Sequence, residues 1–232
     1  MRDDRAVTDN REAKVVAIDG PSGSGKSTVA RGVGEELGLR VLDTGAMYRA
    51  VTLAALEAEV DLADAAVVAA IAATVRLELE GSVLLDGRDV SAEIRTPAVT
   101  ASVSTVSAHP GVRRELVARQ RDWVATHDGG VVEGRDIGTV VFPSAPVKVY
   151  LEASEGERAR RRQRDEAAAD RDVAVDAVRD SLARRDALDS DRAASPLRVA
   201  DGGIVIDTTD RPVGEIVQEI VGRFRAATEA RP

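Results

Sequence analysis

The chain has 232 residues, 44% of them hydrophobic and 31% charged, with a formal net charge of -8. That length suits one α/β domain, or a core with an insertion, and the acidic balance argues against general attraction to nucleic acid polymers or anionic membranes. There is no cysteine and only two histidines, His109 and His127, which excludes a disulfide frame, a thiolate metal site and a histidine-rich metal centre.

Residues 1–13 are polar and charged, with no apolar core of the signal-peptide kind, and read as a flexible tail. No run reaches the ~18 apolar residues of a membrane span. Lys14 to Asp19 is expected to be the first strand, central and parallel, because it is apolar on both faces. It leads into Gly20, Pro21, Ser22, Gly23, Ser24, Gly25, Lys26, Ser27 and Thr28. Gly20, Gly25, Lys26 and Ser27 have the spacing of a phosphate-binding loop. Glycines let such a loop curl and approach a ligand closely, and its amides then converge on an anion. A helix starting near Lys26 adds its positive end, Lys26 can reach the terminal phosphates, and the Ser27 hydroxyl can coordinate Mg²⁺. The bland alternative is an ordinary Gly/Ser turn; the strand before and the helix after favour the phosphate loop. The loop says that a nucleoside triphosphate is bound, not what becomes of its phosphate.

A helix is expected over Ser27 to Leu37 with Gly38 as its stop, then a short strand over Leu39 to Leu42. Asp43 to Arg49 opens a helix running to about Ala58, and an alanine-rich helix follows near Asp64 to Ala73. Val75 to Val90 alternates apolar and polar residues, with Gly81 and Asp86-Gly87 as turn signals, and reads as a hairpin-type β element. Ser91 to about Thr126 is expected to be mostly helical, interrupted near His109-Pro110-Gly111. Val131 to Glu133 resumes the sheet, followed by a loop over Gly134 to Thr139. Val147 to Leu151 is a further strand, Glu152 to about Leu188 an arginine-rich helical region, and Asp189 to Leu197 a turn. Ile204 to Asp207 is the last strand and Val213 to Ala227 the last helix. Strands alternating with helices imply a parallel sheet whose ligand lies beyond the strands' carboxyl ends.

A phosphate loop that transfers rather than hydrolyses needs a second anion site and a cover against water. Arg49 and Arg135 each follow a strand on the ligand edge, where two forks can grip a phosphate. Surface ion pairs are the simpler alternative for each. Arg158, Arg161 and Arg162 share one helix face. They form either a lid that folds over the transferring phosphoryl group or a solvated charged helix. The dense cluster from Arg184-Arg185-Asp186 to Asp189-Ser190-Asp191-Arg192 is explained equally well by a salt-bridged helix end.

Taken together, IDGPSGSGKST, LDTGAMYR, SAEIRTPAV, VVEGRDIGTVVFPSAPVKVYL and RRDALDSDRAASPL resemble bacterial cytidylate kinases, of the nucleoside monophosphate kinase family. The resemblance runs in order from about Val15 to the C-terminus. It implies the P-loop nucleoside monophosphate kinase fold: a five-stranded parallel sheet flanked by helices. The core would comprise 14–73 and 127–232, with an inserted monophosphate-binding subdomain over 74–126 and a helical lid over about 152–195. It implies transfer of the γ-phosphoryl group of ATP, with Mg²⁺, to CMP or dCMP, by a cytoplasmic monomer. Lys26, Arg158 and Arg162 would be catalytic. Thr44, Tyr48, Arg49 and Arg135 would hold the acceptor phosphate, Ser104, Arg113, Asp136 and Arg192 would read the cytosine edge, and Arg185 and Asp189 would hold the sugar hydroxyls. Cytosine offers an amino donor to Asp136 and acceptors to Arg and Ser. Thr44 stands where serine is also common, and Glu133 where aspartate is frequent. The rival readings are a kinase for another monophosphate and a non-catalytic ATP-dependent switch.

Overall fold

The computed structural model describes residues 14–168, 174–190, 192 and 195–229. The expected tail, 1–13, and residues 169–173 of the expected lid lie outside them. The described chain packs as two compact units: the residues up to Val41 together with those from Val124 onward, and Leu42–Trp123.

The first unit is organised around β1 (Val15–Asp19), all five residues of which are buried. A five-stranded sheet has the order β2-β6-β1-β7-β8, with β2 at Val41–Asp43, β6 at Gly130–Gly134, β7 at Val147–Glu152 and β8 at Ile204–Asp207. β1 runs parallel to β6 and β7, and β7 parallel to β8. A strand covered on both faces has to be apolar throughout, as VVAI is. Helix α1 (Lys26–Leu37) sets Val29 and Val33 against Val16, Ile18, Val149 and Leu151. The last helix of the chain, numbered below, brings Ile216, Ile220 and Phe224 to the same core. α1 ends at Gly38, which takes φ 65° and returns its N–H to the carbonyls of Glu35 and Gly34.

In the second unit, α2 (Thr44–Glu57) starts from Asp43, whose side chain accepts from the Ala46 N–H at 3.1 Å. α3 (Ala65–Thr74) is capped by Asp64 in the same way. The alternating stretch forms a three-stranded antiparallel sheet of β3 (Leu77–Glu80), β4 (Ser82–Leu85) and β5 (Arg88–Asp89). Asp86 and Gly87 both have positive φ at the second reversal, as the tight Asp-Gly hairpin turn demands. A 3-10 turn (Glu93–Arg95) precedes α4 (Pro97–Ala108), and α5 (Pro110–Thr126) follows a break at the extended His109 before Pro110. This unit takes in α2 and α3, which the sequence reading gives to the core, because α2 packs against α4 and the 3-10 turn.

Two expectations need correction. The loop after β6 is not irregular: from Ile137 to Val141 it forms a π-helical turn. The arginine-rich helical region comprises two helices, α6 (Glu155–Ala167) and α7 (Val175–Ser190), packed through Ala159, Val178 and Leu182. α6 begins at Ser154, which caps the Glu157 N–H. α7 runs through Asp189, so that residue is helical rather than part of a turn. The last helix, α8 (Val213–Glu229), closes the chain.

Candidate active site

The phosphate loop follows β1 and hands over to α1 at Lys26. Its tightness has a steric cause. A Cβ on Gly20 would lie 2.1 Å from the Leu151 carbonyl oxygen, and one on Gly23 would lie 2.9 Å from that of Arg158. Both glycines also have positive φ. The Lys26 ammonium turns back into the loop and donates to the Gly20 and Pro21 carbonyls at 2.8 and 2.7 Å. Desolvation, and next the nearby Arg135 charge, lower its pKa to about 7, with Glu133, Asp186 and Asp19 opposing the shift. Ser27 donates through Oγ to Glu133 Oε2 at 2.9 Å. Glu133 is buried on β6, so a hydroxyl and a carboxylate from two elements meet beside the loop. Mg²⁺ takes one or two such protein oxygens and completes its shell with water and substrate phosphates, and this pair suits that mode. Among the described residues no cluster of three or more acidic, histidine or cysteine ligands forms a metal cage.

Three arginines expected in the site touch the loop in the first unit, and a fourth, Arg192, lies against Asp189. Arg135, just past β6, donates to the Gly20 carbonyl at 2.7 Å and pairs with Asp189 at 3.0 Å. Arg158 on α6 donates to the Ser22 carbonyl at 3.2 Å and is ion-paired with Asp186. Arg185 on α7 donates to Ser22 Oγ at 3.3 Å. Its pKa is lowered to about 10, first by desolvation and then by Arg135. Arg192 donates from Nε to the Asp189 backbone carbonyl at 3.2 Å. Asp136 is buried at the start of the π-helical turn.

The shared face of α6 divides in its contacts. Arg158 reaches the loop, but Arg162 pairs with Glu166 at 2.6 Å. Arg161 is anchored on Thr208, whose hydroxyl in turn donates to the Ser24 carbonyl at 3.0 Å. Spacing alone put these arginines on one side; the acids and hydroxyls around them decide which partner each one takes. Asp186 joins the cluster as a residue given no role by the sequence reading. Its carboxylate accepts from the Ser22 N–H at 3.3 Å and lies 3.8 Å from Arg135. Its signals in the sequence were the charge run around it and its place in RRDALDSDRAASPL.

In the second unit, Thr44 is buried in the first turn of α2, and Tyr48 lies one turn on. The Arg113 guanidinium stands 5.4 Å from the Tyr48 ring centroid, in cation–π range. Arg113 also donates to the Ser107 carbonyl at 3.3 Å. Arg49 donates to the Ile94 carbonyl and to Thr100 Oγ1 at 3.0 and 2.9 Å. Ser104 is buried on α4. Tyr48 and Arg113 are thus brought together, while Arg49 is engaged with the 3-10 turn and α4.

Among the described residues no helix is long and apolar enough to cross a membrane. The profile of the cytidylate kinase family matches residues 16–226. A cytidylate kinase from Mycolicibacterium paratuberculosis is 48% identical over 220 residues, which cover 93% of this chain and 96% of that protein. One from Mycobacterium leprae is 50% identical over 208 residues, covering 89% and 93%. One from Pelotomaculum thermopropionicum is 48% identical over 217 residues, covering 91% and 96%.

Proposed function

The chain belongs to the cytidylate kinase family, and we propose that it transfers the γ-phosphoryl group of ATP to CMP or dCMP, giving ADP and CDP or dCDP. The observation that carries the reading is the crowding of Arg135, Arg158 and Arg185 onto a loop that already holds Lys26. One triphosphate does not require so many cations; a second phosphate beside it, with the acceptor's sugar hydroxyls at Arg185, accounts for them.

An oxygen of the acceptor phosphate attacks the γ-phosphorus, the bond to the bridging oxygen breaks, and ADP leaves with that oxygen. The attacking group is already anionic, so no strong general base is needed, and catalysis rests on positioning and charge. The loop amides and Lys26 hold the donor's phosphates. To do so, Lys26 exchanges its bonds to Gly20 and Pro21 for phosphate oxygens. In this reading Arg158 neutralises charge on the moving group, and Arg162 joins it after leaving Glu166. Ser27, with Glu133 behind it, would hold a Mg²⁺ ion, which would supply further charge neutralisation.

Acceptor roles follow the family assignment. Thr44, Tyr48, Arg49 and Arg135 take the phosphate. Ser104, Arg113, Asp136 and Arg192 read the base, with Asp136 accepting from the cytosine amino group. Arg185 and Asp189 take the sugar hydroxyls. The segment 74–126 serves as the acceptor subdomain and about 152–195 as the lid that excludes water, in a cytoplasmic, monomeric enzyme.

The test is ADP release from ATP and Mg²⁺ with each nucleoside monophosphate in turn and with no acceptor. Turnover confined to CMP and dCMP supports the reading. Preference for another acceptor overturns the base assignment, and release without acceptor makes the chain a hydrolase or switch.

A further inference from the structure

One buried acid, Asp19, has no part in the steps above. It ends β1 directly beside Gly134 of β6 and is only 3% exposed. Its two carboxylate oxygens serve two consecutive amides of the neighbouring segment. Oδ1 accepts from the Ile137 N–H and Oδ2 from the Gly138 N–H, each at 2.8 Å. These are the first two amides of the π-helical turn that follows Arg135 and Asp136.

Amides at the start of a helix lack partners within it, and an Asp at the capping position normally supplies one from its own side chain. Asp136 occupies that position, yet its side chain makes no capping bond. Its backbone carbonyl instead accepts from Val140 and Val141 at 2.9 and 3.2 Å. The cap comes across the sheet, from a residue 118 positions earlier in the chain. Burying a carboxylate is costly, and here the burial raises the Asp19 pKa to about 6. An asparagine would meet one amide but turn an N–H toward the other. Only a carboxylate satisfies both at once, which fixes the backbone leaving Asp136 at two points.

We propose that Asp19 is a positioning residue for acceptor recognition: it caps the turn after Asp136 in that residue's place, so that the Asp136 carboxylate is directed at the base rather than at its own helix. This rests on the assignment of Asp136 to the cytosine edge. Asp19 touches neither substrate. Its loss acts through the angle at which Arg135 and Asp136 leave β6.

A merely structural acid would lower the active fraction, and with it kcat for every acceptor alike. A positioning acid changes the ratio between acceptors. The experiment measures kcat and KM for CMP and for UMP with Asp19→Asn, alongside Asp136→Ala. The expected result for Asp19→Asn is a CMP-over-UMP preference in kcat/KM reduced about tenfold, carried mainly by a higher KM for CMP. An unchanged preference, whatever the loss in kcat, overturns the proposal. If Asp19→Asn does not fold, the same ratio is read on Asp19→Glu, which keeps the charge but moves it by a methylene. A preserved ratio there is equally fatal. Asp136→Ala separates the two levels. If it leaves the preference intact, the assignment of Asp136 falls and the proposal with it; if it abolishes the preference while the Asp19 variants do not, only the role of Asp19 falls.

Discussion

The Asp186 carboxylate accepts a hydrogen bond from the Ser22 backbone N–H at 3.3 Å, so an acid on α7 rests on an amide of the phosphate loop. The same carboxylate is ion-paired with Arg158, which the mechanism gives to the moving phosphoryl group. An anion from the chain itself therefore holds partners that a phosphate oxygen would take.

Asp186 should compete with the donor. Asp186→Asn is expected to tighten ATP binding several-fold in the absence of acceptor, because a neutral amide gives up the loop and Arg158 more readily than a carboxylate does. Titration calorimetry on both proteins reads this directly. Weaker or unchanged ATP binding would mean that the acid only organises the arginines.

Lys26 bears on the chemical step. Lys26→Ala is expected to lower kcat by roughly 10²- to 10³-fold, the loss typical when one preorganised charge-stabilising donor is removed. The melting curve should stay cooperative, since the ammonium is anchored only to carbonyls of the loop. A loss of a few-fold would remove Lys26 from its assigned role.

Donor and acceptor should separate at Asp136. Asp136→Ala is expected to raise KM for CMP at least tenfold more than KM for ATP, because in the proposed arrangement the lost acceptor serves the base and not the triphosphate. Equal increases in both constants would show that Asp136 does not read the acceptor.

A stability prediction follows from Asp19. Desolvation lifts its pKa from the ordinary 3.8 to about 6, against the pull of the Gly138 and Ile137 amides. The folded chain then keeps a proton that the unfolded chain releases between those values. Its contribution to stability accordingly falls as pH rises through the window, by about 3 kcal/mol in all. The side-chain amide introduced by Asp19→Asn cannot ionise. The stability of that variant relative to the parent should thus improve between about pH 4 and 6.5 in urea titrations. A difference that is flat or worsens with pH would place the carboxyl at its ordinary pKa.

How far the sequence could be read depended on the distance between partners. The β1 run, the Gly38 stop, the Asp86-Gly87 turn and the Lys26 loop are each set by neighbours along the chain, and each lies where the pattern indicates. Arg135, which follows β6, meets the phosphate loop, and Arg158 and Arg185 meet it from α6 and α7. The π-helical turn was not legible because its cap is Asp19, on another strand. Nor was the fate of the α6 face: Glu166 claims Arg162 and Thr208 claims Arg161, while Arg158 donates to the Ser22 carbonyl of the loop. The division of the arginine-rich region into α6 and α7 hid in a helix-favouring composition that carries no strong stop.

The clearance at Gly23 sets a mechanical tolerance for the whole assembly. The backbone of α6 at Arg158 comes so near that a single methyl group on Gly23 would find an oxygen at 2.9 Å. That methyl would act as a shim, lifting α6 from the loop and drawing the Arg158 guanidinium away from Ser22, although the altered residue has no functional group. Tolerance to substitution should therefore be narrower at this featureless position than at many of the charged ones around it.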